Sequence, residues 1–199
     1  MTVLASVFGY LIGSIPTAVW LARARGVDLR AGGTGNPGAN NARRLGGLGL
    51  AVPILAVEVT KGWAAVALGF SVVGEQGAAA AAIAAVAGNV YNVWLGFHGG
   101  KGLAITAGVL LGMWPLMLPI ALAVLILTSA ATRSTGKGTL TTLALLILGG
   151  LVWERVGLES GWGVDDPALL ILAAAGISLI MTRKHWLDAR RSVRTHARP

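Results

Sequence analysis

Apolar stretches of about 18 residues or more recur along the chain, separated by short polar segments, and predict helices that cross a membrane. The first runs from Thr2 to Ala22, with Gly13-Ser14-Ile15-Pro16 near its inner end. A polar loop follows over 23–47. The second span covers Leu48 to Val73, and Gly74-Glu75-Gln76-Gly77 makes a short turn. The third covers Ala78 to Phe97 and ends at His98-Gly99-Gly100-Lys101-Gly102. After a long apolar stretch come Arg133-Ser134-Thr135-Gly136-Lys137, a span over Thr139–Trp153, an acidic loop, and a last span from Pro167 to Thr182 that leads into a basic tail.

Charge orients these segments, because positive loops stay on the cytoplasmic side. Arg23, Arg25, Arg30, Arg43 and Arg44, then Lys101, Arg133, Lys137 and the tail, read as cytoplasmic. Glu75 and the acidic residues Glu154, Glu159, Asp165 and Asp166 read as external. Leu103–Ala131 then starts and ends on the same side, although it is apolar throughout. As one helix it would reach roughly 44 Å, well beyond a hydrocarbon core of about 30 Å. Two short helices turning near Trp114-Pro115 resolve the conflict, since proline lacks a donor and biases its neighbour away from helix. The expected fold is all-α and polytopic, with seven helices. Five are full spans and two form a short hairpin near 103–131, with the N-terminus outside and the C-terminus cytoplasmic. The chain reads as a single domain over 1–199.

Composition agrees. The chain has 199 residues, 55% apolar and only 12% charged, about half the charged fraction of a soluble domain. The first charge is Arg23, so no basic segment precedes the first apolar stretch, which argues against a cleaved signal peptide. No cysteine is present, which removes disulfide and thiolate chemistry. The net charge of +8 marks cytoplasmic loops, and no basic helix or RNA module accompanies it, so nucleic acid is not an expected partner. Gly108 and Gly112, and the run Ala78–Ala82, read as close helix packing. Trp94, Trp114, Trp153 and Trp162 read as interfacial anchors. No internal repeat suggests a transporter built from duplicated halves.

The unusual polar sequence falls on the cytoplasmic side. Its centre is Gly32-Gly33-Thr34-Gly35-Asn36-Pro37-Gly38-Ala39-Asn40-Asn41-Ala42-Arg43-Arg44. Glycines let backbone N–H groups converge on an anion, and the arginines add fixed positive charge. Ser14, Asn89 and Asn92, the 98–102 loop, Arg133 with Ser134, and His185 with Asp188 share that side. Lys101, flanked by Gly100 and Gly102, can meet a phosphate; the alternative is a surface turn with a snorkelling lysine. Glu58 and Lys61 lie i, i+3 on one helix face. Ionisable residues inside a membrane must pair or face a polar interior, so they read as an ion pair supporting the site. Arg190, Arg191, Arg194 and Arg198 in the tail are expected to contact anionic headgroups.

Several chemistries are disfavoured. Lys101 is followed by Gly102, and Leu95 stands at the first glycine position of a P-loop, so nucleotide binding of that kind is not expected. No His-x-x-x-x-Asp motif occurs. Asp28 and Asp188 are the cytoplasmic carboxylates, too few for an acidic metal cluster. Without cysteine or a Ser–His–Asp pattern, a covalent enzyme intermediate is not expected either.

These motifs resemble those of the bacterial acyl-phosphate:glycerol-3-phosphate acyltransferases, the PlsY type. The matching blocks are Gly13-Ser14-Ile15-Pro16, Gly33 through Arg44, and Gly88 through Gly102, with Glu58-Val59-Thr60-Lys61-Gly62 and the tail around His185 as further elements. The resemblance implies transfer of a fatty acyl group from acyl phosphate to the 1-hydroxyl of glycerol 3-phosphate, forming lysophosphatidic acid. It implies no cofactor and no metal, a monomer among membrane lipids, and a bacterial plasma-membrane location with the site on the cytoplasmic face. Lys101, Arg44 and Thr34 would be catalytic. Ser14, Gly35, Asn36, Gly38, Asn41, Gly99, Gly100, His185 and Asp188 would bind substrate or its phosphate, with Glu58, Lys61 and Asn89 in support. The chain departs from the family at Thr34 (serine), Asn40 (threonine), Asn89 (histidine) and Asp188 (asparagine). Asn89 leaves no base at that position, and Asp188 adds negative charge near an anion site. The rival readings are a small anion or solute transporter and a non-catalytic, lipid-binding paralogue.

Overall fold

Pro16 breaks the first apolar stretch. In the computed structural model, which describes residues 1–157 and 162–196 and side chains as far as Arg190, the stretch forms α1 (Thr2–Ser14) and α2 (Thr17–Arg23). Ile15, the residue before proline, leaves the helical region with φ −55° and ψ 119°. Its carbonyl is thereby released from the helix ladder and becomes available to a side chain.

The remaining helices are α3 (Ala39–Val73), α4 (Glu75–Val90), α5 (Leu103–Met113), α6 (Met117–Thr132), α7 (Thr135–Val156) and α8 (Pro167–His196). Counting α1 and α2 as one kinked span, seven helices and no strand are present among the described residues. Five spans are long and apolar enough to cross a membrane, and α5 and α6 are the two short apolar helices of the expected hairpin. Residues 114–116 turn between them, as the Trp114-Pro115 signal predicts.

Several boundaries differ from expectation: α4 takes in Glu75, Gln76 and Gly77 of the expected turn, and α7 already begins at Thr135. α3 begins at Ala39, inside the polar loop, and Gly47, at φ 69° and ψ −167°, kinks it where the loop portion meets the span. The third span stops at Val90 because Asn92 caps a 3₁₀ turn over Val93–Leu95, its side chain accepting from the Trp94 N–H at 3.1 Å. α8 runs on through the tail to His196 rather than ending near Thr182. Glu159 and Arg198 lie outside the described residues, as do the side chains of Arg191 and Arg194. The Arg190 guanidinium sits 4.9 Å above the Trp186 ring.

Glycine and alanine set the packing. α1 lies against α4, and α3 against both α4 and α5. A Cβ on Gly62 would collide with the Ile105 carbonyl, and one on Gly108 with the Val59 carbonyl, so α3 and α5 touch backbone to backbone. The run Ala78–Ala82 packs α4 inward with Ala78, Ala79, Ala81 and Ala82 all buried. Trp114 and Trp153 are not interfacial anchors. They are 1% and 7% exposed and meet edge to face with centroids 5.4 Å apart inside the core. Trp94 and Trp162 are exposed.

Candidate active site

Segments distant in sequence converge on a cavity of about 670 Å³. The 34–44 segment, the Asn89 turn of α4, the 100–105 segment, the α6–α7 turn and the α8 residues His185 and Asp188 line it. One part of the lining is polar and carries Arg44, Lys101 and Arg133. Another is aliphatic, built from Leu55 of α3, Leu103 and Ala107 of α5, and Leu122 and Leu125 of α6.

The glycine-rich loop owes its shape to Asn41, which is 2% exposed. Its Oδ1 accepts the Thr34 N–H at 2.8 Å, while its Nδ2 donates to the carbonyls of Leu29 at 2.9 Å and Gly32 at 3.1 Å. One buried amide thus spends donors and acceptor on a loop with few backbone partners of its own. Gly33 and Gly35 take φ of 60° and 70°, which a side chain rarely adopts. Gly38 is extended and opens α3. Asp28 accepts the N–H groups of Arg30 and Ala31, and these bonds hold its carboxyl below the usual carboxylate range.

At the cavity wall, Glu58 pairs with Lys61 at 3.0 Å, the two residues being 5% and 6% exposed. Lys61 also donates to the Ile15 carbonyl that Pro16 released, at 2.7 Å. Glu58 accepts from the Thr17 hydroxyl at 2.8 Å and from Asn89 Nδ2 at 2.7 Å. A carboxylate can only accept, which fixes the Asn89 amide orientation. This network ties together α1, α2, α3 and α4, and Glu58 itself lines the cavity.

The third polar block is gripped by α8. Lys184 Nζ donates to the carbonyls of Val90 at 3.0 Å, Gly99 at 2.9 Å and Gly100 at 2.8 Å. The Gly99 and Gly100 N–H groups donate to the carbonyls of Val90 and Asn89 at the end of α4. A Cβ at Gly99 would meet the Asn89 carbonyl, so only glycine fits there. One residue along α8, buried His185 places Nε2 3.0 Å from the Lys101 carbonyl. A carbonyl needs a donor, so Nε2 carries the proton. Asp188, one turn further, lies 2.8 Å from Lys101 Nζ, each side chain about one-third exposed, at 33% and 30%.

Of the residues singled out in the sequence, Thr34, Asn36, Gly38, Asn41, Arg44, Glu58, Asn89, Gly100, Lys101, His185 and Asp188 line the cavity. Ser14, Gly35, Lys61 and Gly99 do not line it: Gly35 is exposed on the loop and the other three are buried. Ser14 is fully buried: its hydroxyl donates to Leu11 at 2.9 Å and its carbonyl accepts from Asn92 Nδ2 at 2.6 Å. Lys184, Thr17 and Arg133 were not singled out as site residues. Lys184 looked like any other cation of the basic tail. Arg133, the α6 cap in the left-handed region at φ 49°, was grouped with Ser134 among the cytoplasmic polar residues but given no role.

The glycerol-3-phosphate acyltransferase family profile matches residues 3–195. The chain belongs to that family. It is 39% identical over 187 residues to a glycerol-3-phosphate acyltransferase of Synechococcus sp. (strain JA-3-3Ab), covering 93% of this chain and 87% of that one. It is 37% identical over 189 residues to the enzyme of that name from Agrobacterium fabrum, covering 94% and 86%. Among solved structures it is similar to PlsY (YgiH), an integral membrane glycerol 3-phosphate acyltransferase, in its glycerol 3-phosphate form. The TM-score is 0.82 at 26% identity, over 98% of this chain and 92% of that one. The same protein's lysophosphatidic acid form gives 0.73 at 25% identity, over 92% and 89%. Five apolar spans and this membership make the chain a multi-pass membrane protein of an acyltransferase family.

Proposed function

We propose that the chain transfers a fatty acyl group from acyl phosphate to the 1-hydroxyl of glycerol 3-phosphate, giving lysophosphatidic acid and inorganic phosphate. The observation that carries this reading is one cavity joining a cationic polar region to an aliphatic wall, within an acyltransferase family. The two regions suit an acyl phosphate, whose headgroup is anionic and whose tail is hydrocarbon. Acyl phosphate is already activated, so holding both substrates in register supplies much of the rate.

In the reaction the glycerol hydroxyl oxygen attacks the acyl carbonyl carbon. The new ester bond forms as the bond from that carbon to the phosphate oxygen breaks. Arg44 and Lys101, which both line the cavity, stabilise the charge that grows on the departing phosphate. Thr34 offers its hydroxyl to a phosphate oxygen from the Asn41-braced loop. A substrate phosphate accepts the proton that the hydroxyl loses. Asn89 is committed to Glu58 and has no basic atom. No residue in this scheme calls for a metal or cofactor.

The positive loops support a site on the cytoplasmic face with the N-terminus outside, and the family membership supports a bacterial plasma membrane as its location. The family match over residues 3–195 supports one acyltransferase unit, and the proposed working form is a monomer among lipids. Purified protein given acyl phosphate and glycerol 3-phosphate should form lysophosphatidate. Flux of glycerol 3-phosphate into proteoliposomes without product would favour a transporter instead.

A further inference from the structure

We propose that Asp188 is a built-in counter-ion that occupies Lys101 until a substrate phosphate displaces it, and so sets how tightly this site holds phosphate. The inference rests on the reading that Lys101 meets a substrate phosphate.

Three cations line the cavity: Arg44, Lys101 and Arg133. Of these three, only Lys101 has a carboxylate partner among the described residues, Asp188 at 2.8 Å. The cavity's other acid, Glu58, is already met by Lys61, Thr17 and Asn89. The Lys101–Asp188 pair is therefore the one matched charge pair that faces the ligand space.

The pair is built to exchange partners. Helix α8 fixes the Lys101 backbone without using the ammonium: His185 holds its carbonyl, and Lys184 holds the carbonyls of Gly99 and Gly100 beside it. The Lys101 side chain can thus leave Asp188 without releasing the turn. Both side chains are about one-third exposed, at 30% and 33%, so a ligand in the cavity reaches the ammonium directly. An incoming phosphate must take the ammonium from the carboxylate and tolerate that negative charge nearby. Both effects weaken binding. When inorganic phosphate is the product, the same carboxylate re-pairs with Lys101 and aids its release.

The sign of one substitution decides. If Asp188 only positioned Lys101, removing it would loosen the ammonium and weaken phosphate binding. As a competing anion, its removal strengthens binding. The test uses the full chain in detergent, titrated calorimetrically with inorganic phosphate. Asp188→Asn and Asp188→Ala are each expected to lower the phosphate Kd by roughly five-fold, the scale of a partly exposed ion pair. The KM for glycerol 3-phosphate falls with it. Agreement of the two variants assigns the effect to lost charge, because alanine offers no hydrogen bond, and either variant alone suffices if the other fails to fold. Unchanged or weaker phosphate binding in a folded variant overturns the inference. If the wild type forms no lysophosphatidate while both variants still tighten phosphate, the acylation reading fails and this one stands.

Discussion

His185 holds the main chain of Lys101 from across the molecule, its Nε2 lying 3.0 Å from that residue's carbonyl oxygen. The histidine is buried and the ring belongs to α8, so the last helix fixes where the Lys101 side chain starts. His185→Gln keeps a donor near the Nε2 position, whereas His185→Ala leaves the carbonyl unsatisfied at a cost of about 1–3 kcal/mol. Acylation by the alanine variant should fall at least about tenfold, with the glutamine variant between it and wild type. Steady-state rates of the two variants check this; equal activity would separate the histidine from the lysine.

Lys184 is a second clasp on the same turn. Its ammonium satisfies three carbonyls, those of Val90, Gly99 and Gly100. Charge-assisted bonds contribute about 1.5–3 kcal/mol when one partner is ionised. Lys184→Met should lower the apparent Tm and reduce activity, because the glycine turn loses its anchor. Measured thermal unfolding in detergent, beside the rate, tests both effects.

The Glu58–Lys61 pair should behave as a buried ion pair. Lys61→Met alone strands a carboxylate and should destabilise by about 3–5 kcal/mol. Pairing it with Glu58→Gln should recover much of that loss, because no uncompensated charge remains. A double-mutant cycle on thermal stability reads the coupling. Additive losses would show that the two side chains act independently.

Ala107 lies where the main cavity meets a smaller apolar pocket that reaches Leu110, Leu118, Leu143 and Leu146. Ala107→Phe should fill that junction and shift preference toward shorter acyl phosphates. A profile of rates across chain lengths measures it, and an unchanged profile would place the acyl chain elsewhere.

The spans were legible because about 18 consecutive apolar residues have few other uses. The α5–α6 hairpin was legible because charge put both of its ends on one side. The Asn-Gly run announced a shaped loop, but not that Asn41 would spend its amide on Leu29, Gly32 and Thr34, nor that helix α3 would begin at Ala39. The roles of Trp114 and Trp153 were misread because an aromatic at a predicted boundary can point toward lipid or core, and periodicity does not choose. Least legible were contacts across the fold. Lys101 and Asp188 meet only because α8 packs beside the 98–102 turn, and nothing local to either residue announces it.

In the proposed reaction Lys101, held at one region of a cavity with an aliphatic wall, stabilises the departing phosphate of an acyl phosphate. The most direct measurement is lysophosphatidate formation by purified wild type, Lys101→Ala and Arg44→Ala, given acyl phosphate and glycerol 3-phosphate. Wild type should form product, Lys101→Ala should lose at least about 100-fold in kcat, and Arg44→Ala should also fall, the scale expected when a preorganised donor is removed. Robust wild-type activity that survives both substitutions would contradict the assignment of this site.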